Sequence, residues 1–178
     1  MVSMASKLPN PPSTTLDDQL CFALYAASRA VTNHDRPLLD ELGITYPQYL
    51  VLLVLWERGE ITVKDLGAEL QLDSGTLSPL LKRLDAAGLI RRTRRADDER
   101  SVNVTLTRQG EALRTKASCL PQAIQTAMAL DDHTLANLRQ TMRTLAATVR
   151  AAPPATPQHQ TRTIATTAVS ANTKGTTS

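Results

Sequence analysis

The sequence predicts a mainly α-helical domain that carries one small β-hairpin, with a helix at each end and a polar tail beyond each helix. Three observations predict it. Apolar residues recur at helical spacing along most of residues 16–150. Aromatic residues make up only 3% of a chain that is 42% hydrophobic, a Leu/Ala/Val-rich balance that favours helices over a β-sandwich. One short stretch breaks the helical period: Val102, Val104 and Leu106 alternate with polar residues, as in a half-buried strand.

The elements follow in order. Residues 1–15 are rich in Pro, Ser and Thr and read as a disordered arm, and 151–178, rich in Thr, Ala and Pro, as a disordered tail. Asp17 or Asp18 is placed to cap a first helix, with Leu20, Leu24, Ala27 and Val31 on one stripe. Pro37 marks a break or a new start, and Gly43 a stop. Tyr46-Pro47 opens a helix that runs through Trp56 to Gly59, apolar enough to be buried on most sides. Thr62 and Asp65 form the capping pattern of a short helix with Leu66 and Leu70 inward.

Residues 72–75 read as a turn, followed by a helix over about 76–87 with Leu77, Leu80, Leu81 and Leu84 as its buried face. Pro79 fits only a first turn, so this helix either starts near Ser78 or begins distorted. Residues 89–95 and 101–106 form the hairpin. Thr107 caps a long helix that Pro121 interrupts or kinks. Asp131 or Asp132 caps the last helix, where Leu135, Leu138, Met142, Leu145 and Val149 sit at spacings close to a coiled-coil seam.

Composition sets the limits on function. The 178 residues suffice for one domain, or for one domain with a dimerisation element. Lys and Arg number 20 against 17 Asp and Glu, a net charge of +3 that permits a nucleic-acid partner without requiring one. The two cysteines, Cys21 and Cys119, form no CxxC, and the three histidines do not join them at metal-ligand spacing, so neither a metal nor a cofactor is expected. Residues 1–12 lack the apolar core of a signal peptide, and the longest apolar run, 49–56, is too short to span a bilayer. A cytoplasmic protein with no membrane partner is expected.

A short helix, a tight turn, a Leu-rich helix and a basic hairpin in succession describe a winged helix-turn-helix, whose second helix enters the DNA major groove. Ser74, Thr76 and Ser78 near the start of that helix suit base edges or phosphates, and Lys82 and Arg83 suit phosphates. The hairpin carries Arg91, Arg92, Arg94, Arg95 and Arg100. Asp98 is placed to orient Arg100 for a narrow minor groove. Taken alone, the same charge run also describes a solvated hairpin with weak local salt bridges. The helix pair beside it favours DNA.

Residues 50–107, and above all DSGTLSPLLKRLDAAGLIRRTRRADDERSVNVTLT with its D-x-R (Asp98, Arg100), resemble the recognition helix and wing of the MarR family of bacterial regulators. LCFALYAASRAV followed by ITYPQYLVLLVLWE resembles, more narrowly, the organic-hydroperoxide-sensing (OhrR-type) branch. The resemblance covers about residues 16–150. It implies a homodimer joined through helices at about 16–42 and 107–150, with the winged domain at about 47–107, that represses from a palindrome with half-sites roughly 10 bp apart.

Cys21 is near a helix start, where free N–H groups and the helix dipole favour a thiolate, while Asp17 and Asp18 oppose it. Tyr25, four residues on, shares its face. On these residues alone a small inert thiol is the favoured reading. The resemblance implies more: a cysteine oxidised by organic hydroperoxide, with Tyr25 and Tyr46 matching tyrosine contacts, one of them from the partner subunit. It also exposes a departure, because Asp35 stands where the branch has a second partner tyrosine. Cys119 is a candidate resolving thiol, and a low-molecular-weight thiol is the alternative. Two other functions stay open: a MarR-type repressor released by a small aromatic ligand, with Cys21 structural, and a thiol-dependent redox enzyme. The absence of a CxxC counts against the enzyme.

Overall fold

The computed structural model describes residues 15–95, 98 and 101–154. Arg100 lies outside the described residues, as do 1–14 and 155–178, which include nearly all of both expected disordered tails. The chain divides into a unit ending at Leu130 and a second beginning at Asp131.

The first unit starts with a 3-10 turn, Leu16–Asp18, and then α1, Leu20–His34. Neither Asp17 nor Asp18 caps α1. Its N-cap is Gln19, without a side-chain bond, and Asp18 instead accepts a 2.6 Å bond from the Thr15 hydroxyl. The expected stripe of α1 packs only partly, since no residue of the helix is buried within the chain. Helix α2, Arg36–Glu41, starts with Pro37 in its first turn, and Gly43 follows at φ +70°.

Helix α3, Tyr46–Arg58, starts where Gln48 Oε1 accepts from the Thr45 N–H at 2.8 Å and stops at Gly59, φ +74°. Tyr49, Val51, Leu52 and Leu55 are buried, while Leu53 is exposed, so one face of α3 is open. Thr62 caps α4, Val63–Leu70, by accepting from the Asp65 N–H at 3.1 Å.

Helix α5 spans Ser74–Ala86, beginning earlier than its sequence suggests. Asp73 is not part of a free turn but the N-cap, with its carboxylate accepting from the Thr76 N–H and hydroxyl, each at 2.9 Å. That cap holds the first turn, so Pro79 falls in the second turn as an interior proline. Leu77, Leu80, Leu81 and Leu84 are all buried, and each such leucine stabilises the fold by about 1.5–3 kcal/mol.

The hairpin is β2, Ile90–Arg94, with β3, Val102–Leu106, in register Arg92↔Val104. A strand not anticipated, β1 (Ile61–Thr62), pairs antiparallel with β3 on its other edge through Ile61↔Val104. The sheet order is therefore β1-β3-β2.

Thr107 caps α6, Arg108–Ala117: its hydroxyl accepts from Gly110 N–H at 3.1 Å and donates to Gly88 O at 2.6 Å. The interruption expected at Pro121 falls just before it: the chain turns at Ser118 and Cys119, and α7, Leu120–Met128, starts with Pro121 in its first turn. The second unit is α8, Asp132–Ala151, capped by Asp131 through a 2.8 Å bond from the Thr134 N–H.

Candidate nucleic-acid interface and thiol site

Helix α5 projects from the core by one face only. Its leucines face inward, and Ser74, Thr76, Lys82 and Arg83 are left exposed on the opposite side, with Ser78 half-buried. The Thr76 side chain is committed to the Asp73 cap. That bonding, with the backbone bond from Thr76 foremost, holds the Asp73 carboxyl below the usual carboxylate range.

Between α4, α5 and the wing runs a cleft of about 560 Å³. It brings together four of the residues singled out from the sequence, Ser74, Ser78, Arg92 and Asp98, and adds Lys64 from α4. Lys64 sits in the first turn of α4, and only the packing of that helix against the wing reveals its place. Arg92 is half-buried on β2, and its Nε is a buried donor without a protein acceptor. Arg94 is exposed at the end of the same strand.

The thiol residues are not gathered in the same way. Cys21 is an exposed free thiol at the second position of α1. Tyr25 is 56% exposed, and its hydroxyl accepts from Arg29 at 2.8 Å, with the guanidinium carbon 5.5 Å from the ring centroid. Tyr46 lies on α3, half-buried, 6.4 Å centroid to centroid from Tyr49. Burial pushes the Tyr46 phenol up, and the nearby Asp35 carboxylate adds to it. Within one chain, then, Tyr46 is grouped with Asp35 and Tyr49, and Tyr25 with Arg29. Cys119 is also an exposed free thiol, and its Sγ donates to Lys116 O at 3.6 Å.

The chain is 49% identical over 134 residues to the organic hydroperoxide resistance transcriptional regulator of Bacillus subtilis, covering 75% of this chain and 91% of that one. The chain belongs to the MarR family, in its OhrR-type branch. A second relative, the HTH-type transcriptional regulator TtmR of Methylorubrum extorquens, is 50% identical over 73% of this chain and 68% of its own. Residues 35–116 match the family model described as transcriptional regulator SarA/Rot. Among solved structures, overoxidised AbfR of Staphylococcus epidermidis bound to DNA superposes with a TM-score of 0.61 at 38% identity, over 75% of this chain and 94% of that one.

This MarR-family protein is accordingly a DNA-binding transcriptional regulator with a winged helix-turn-helix. In that fold α4 and α5 are the helix pair and β2–β3 the wing. Among the described residues no helix is long and apolar enough to cross a membrane, and no three His, Cys, Asp or Glu side chains are grouped to hold a metal.

Proposed function

We propose that this regulator is a homodimeric repressor that occupies a palindromic operator and leaves it when an organic hydroperoxide oxidises Cys21. The observation that carries the reading is the state of α1: an exposed free thiol on a helix with no residue buried in its own chain, beside exposed Leu20, Phe22 and Tyr25. An apolar helix face of this kind is typical of an association surface. Helix α8, by itself, tells the same story. It is 20 residues long, about 30 Å, and its apolar seam has no buried residue, with Leu138 43% and Val149 64% exposed.

The chemistry is two-electron oxidation. The Cys21 thiolate attacks the terminal peroxide oxygen, the O–O bond breaks, and the products are a sulfenic acid and an alcohol. A second thiol then condenses with the sulfenic acid to a disulfide and water. That thiol is Cys119 or a low-molecular-weight thiol. Polar bulk added at a packed interface shifts the two subunits, and the recognition helices lose the spacing a palindrome needs. Ser74, Thr76, Ser78, Lys82, Arg83, Arg92 and Arg94 supply the DNA contacts, with Asp98 and Arg100 at the wing tip. The name of the Bacillus subtilis relative supports organic hydroperoxide as the inducer.

The test is fluorescence anisotropy of the reduced protein on its own upstream DNA at fixed salt, with and without cumene hydroperoxide. Wild type binds and is released, whereas Cys21→Ser binds and is not. Peroxide release that persists in Cys21→Ser overturns the thiol switch. Binding that never responds to peroxide leaves the regulator and removes the inducer.

A further inference from the structure

Positive charge on this chain is not confined to the recognition helix and wing. Residues 133–178 carry Arg139, Arg143, Arg150, Arg162 and Lys174 and no Asp or Glu, a surplus of five. With the whole chain at +3, residues 1–132 are left at −2. Three of the five cations are on α8, in the unit that begins at Asp131, apart from α4, α5 and the wing. Arg162 and Lys174 lie outside the described residues.

Arg139, Arg143 and Arg150 are all exposed. They stand at i, i+4 and i+11, so they share one stripe of the helix about 17 Å long. The stripe lies roughly a third of a turn round from the apolar seam, so the seam and the arginines face different ways. Among the described residues none of the three has an ion pair or a side-chain hydrogen bond. A solvated arginine face is ordinarily laced with Asp or Glu three or four positions away, and here no such position holds an acid. Arg150 suits the C-terminal end of the helix dipole, but Arg139 and Arg143 stand mid-helix and repel one another at i, i+4. Their charge does nothing for the helix that bears it.

We propose that this face of α8 is a second, sequence-independent DNA contact, its guanidiniums set on the phosphates of duplex DNA outside the surface formed by α5 and the wing. Unpaired like charges in a row call for a polyanion. Duplex DNA carries one negative charge per about 1.7 Å of axis, so a stripe of this length meets about ten of them. All three cations are arginine, whose planar fork matches phosphate oxygens in pairs. A helix that lies on a membrane sets Trp, Phe or Leu against its basic face. Helix α8 has no aromatic residue, and the residues beside the arginines, Ala136, Gln140 and Ala147, have nothing to insert into lipid. Neither cysteine is on α8, so the contact is independent of the thiol switch.

The experiment is fluorescence anisotropy of the reduced full-length protein on a random-sequence duplex at four salt concentrations, without peroxide. The variant Arg139→Gln/Arg143→Gln/Arg150→Gln is expected to bind about tenfold or more weakly at low salt and to flatten the slope of log K against log salt by about 2 or more. Lysine at the same three positions restores the slope, which counts charges. Arg143→Gln alone, mild enough to spare the helix, flattens it by about 1. Circular dichroism and light scattering matching wild type show that helix content and assembly are kept, and Arg143→Gln decides if the triple variant fails that check. An unchanged slope, or a lysine variant as weak as the glutamine one, overturns the proposal. So does a glutamine variant that keeps its duplex binding but loses binding to vesicles of phosphatidylcholine and phosphatidylglycerol, which assigns the face to a membrane.

Discussion

The indole Nε1 of Trp56 donates to the carbonyl of Gly110 at 3.0 Å, joining α3 to the first turn of α6 across 54 positions of sequence. Gly110 itself is pressed against the Leu89 carbonyl, so closely that a Cβ would overlap that oxygen. The backbone offers no room to yield, because Thr107 on the same turn is bonded to Gly88 and to the Leu89 carbonyl. Gly110→Ala is therefore expected to be severely destabilising. Trp56→Phe, which keeps the ring and drops the donor, costs about 0.5–1.5 kcal/mol. Urea denaturation of both variants checks the order, and a Gly110→Ala protein as stable as Trp56→Phe contradicts it.

Asp73 holds the start of the recognition helix. Its folded pKa is lowered, so its stabilisation is present above the unfolded value of about 3.9 and is lost as pH falls through the lowered one. Asp73→Ala should lower Tm at neutral pH by a few degrees, and the difference from wild type should vanish in strong acid. DNA affinity should fall with it, because Ser74 and Thr76 lose their fixed positions. Tm curves of both proteins across pH, with anisotropy at pH 7, test the two statements separately.

Arg92, half-buried on β2 and lining the cleft with Ser74 and Ser78, is predicted to meet a phosphate. Arg92→Ala should weaken binding of every DNA sequence by a similar factor. It should also reduce the slope of log K against log salt by about 1. Affinity measured at four salt concentrations on specific and random duplexes reads both. Loss confined to the specific duplex would mean that Arg92 reads bases instead.

Asp35 affects stability with the opposite sign to Asp73. Its folded pKa is raised, so the native state holds more protons than the unfolded chain between about 3.9 and that raised value. Stability conferred by protonation is present below about 3.9 and is lost as pH rises through the folded value. Asp35→Asn should therefore be more stable than wild type at pH 7, with the gap closing toward pH 3. The neighbouring groups, His34, Tyr46 and Tyr49, are common to both proteins, so their own titration largely cancels in the difference. A gap that is constant with pH would show that burial does not perturb this carboxyl.

What could be read from the sequence depended on where each signal lies. Leu77, Leu80, Leu81 and Leu84 declare a helix face because they bury against their own chain, and Val104 declares a strand for the same reason. The start of α5 lies earlier than Pro79 suggests, because the two bonds from Thr76 to Asp73 settle the first turn. Strand β1 is two residues long, too short to show a period. Burial of Asp35 runs against its polarity and has no sequence signature. Lys64 entered the cleft only through the packing of α4 on the wing. Of the residues linked to Cys21 by resemblance, Tyr25 shares its helix α1, whereas Tyr46 is on α3 beside Tyr49.

The two-residue strand β1 has a practical outcome for hybrid regulators. Val104 pairs with Arg92 on one side and with Ile61 on the other, and Ile61 is two positions ahead of α4. Swapping residues 89–107 for the wing of another regulator would thus replace the scaffold on which α4 begins. A chimera designed to change minor-groove preference would need to carry residues 61–107 as one cassette, or it would trade one specificity for a loosened helix pair.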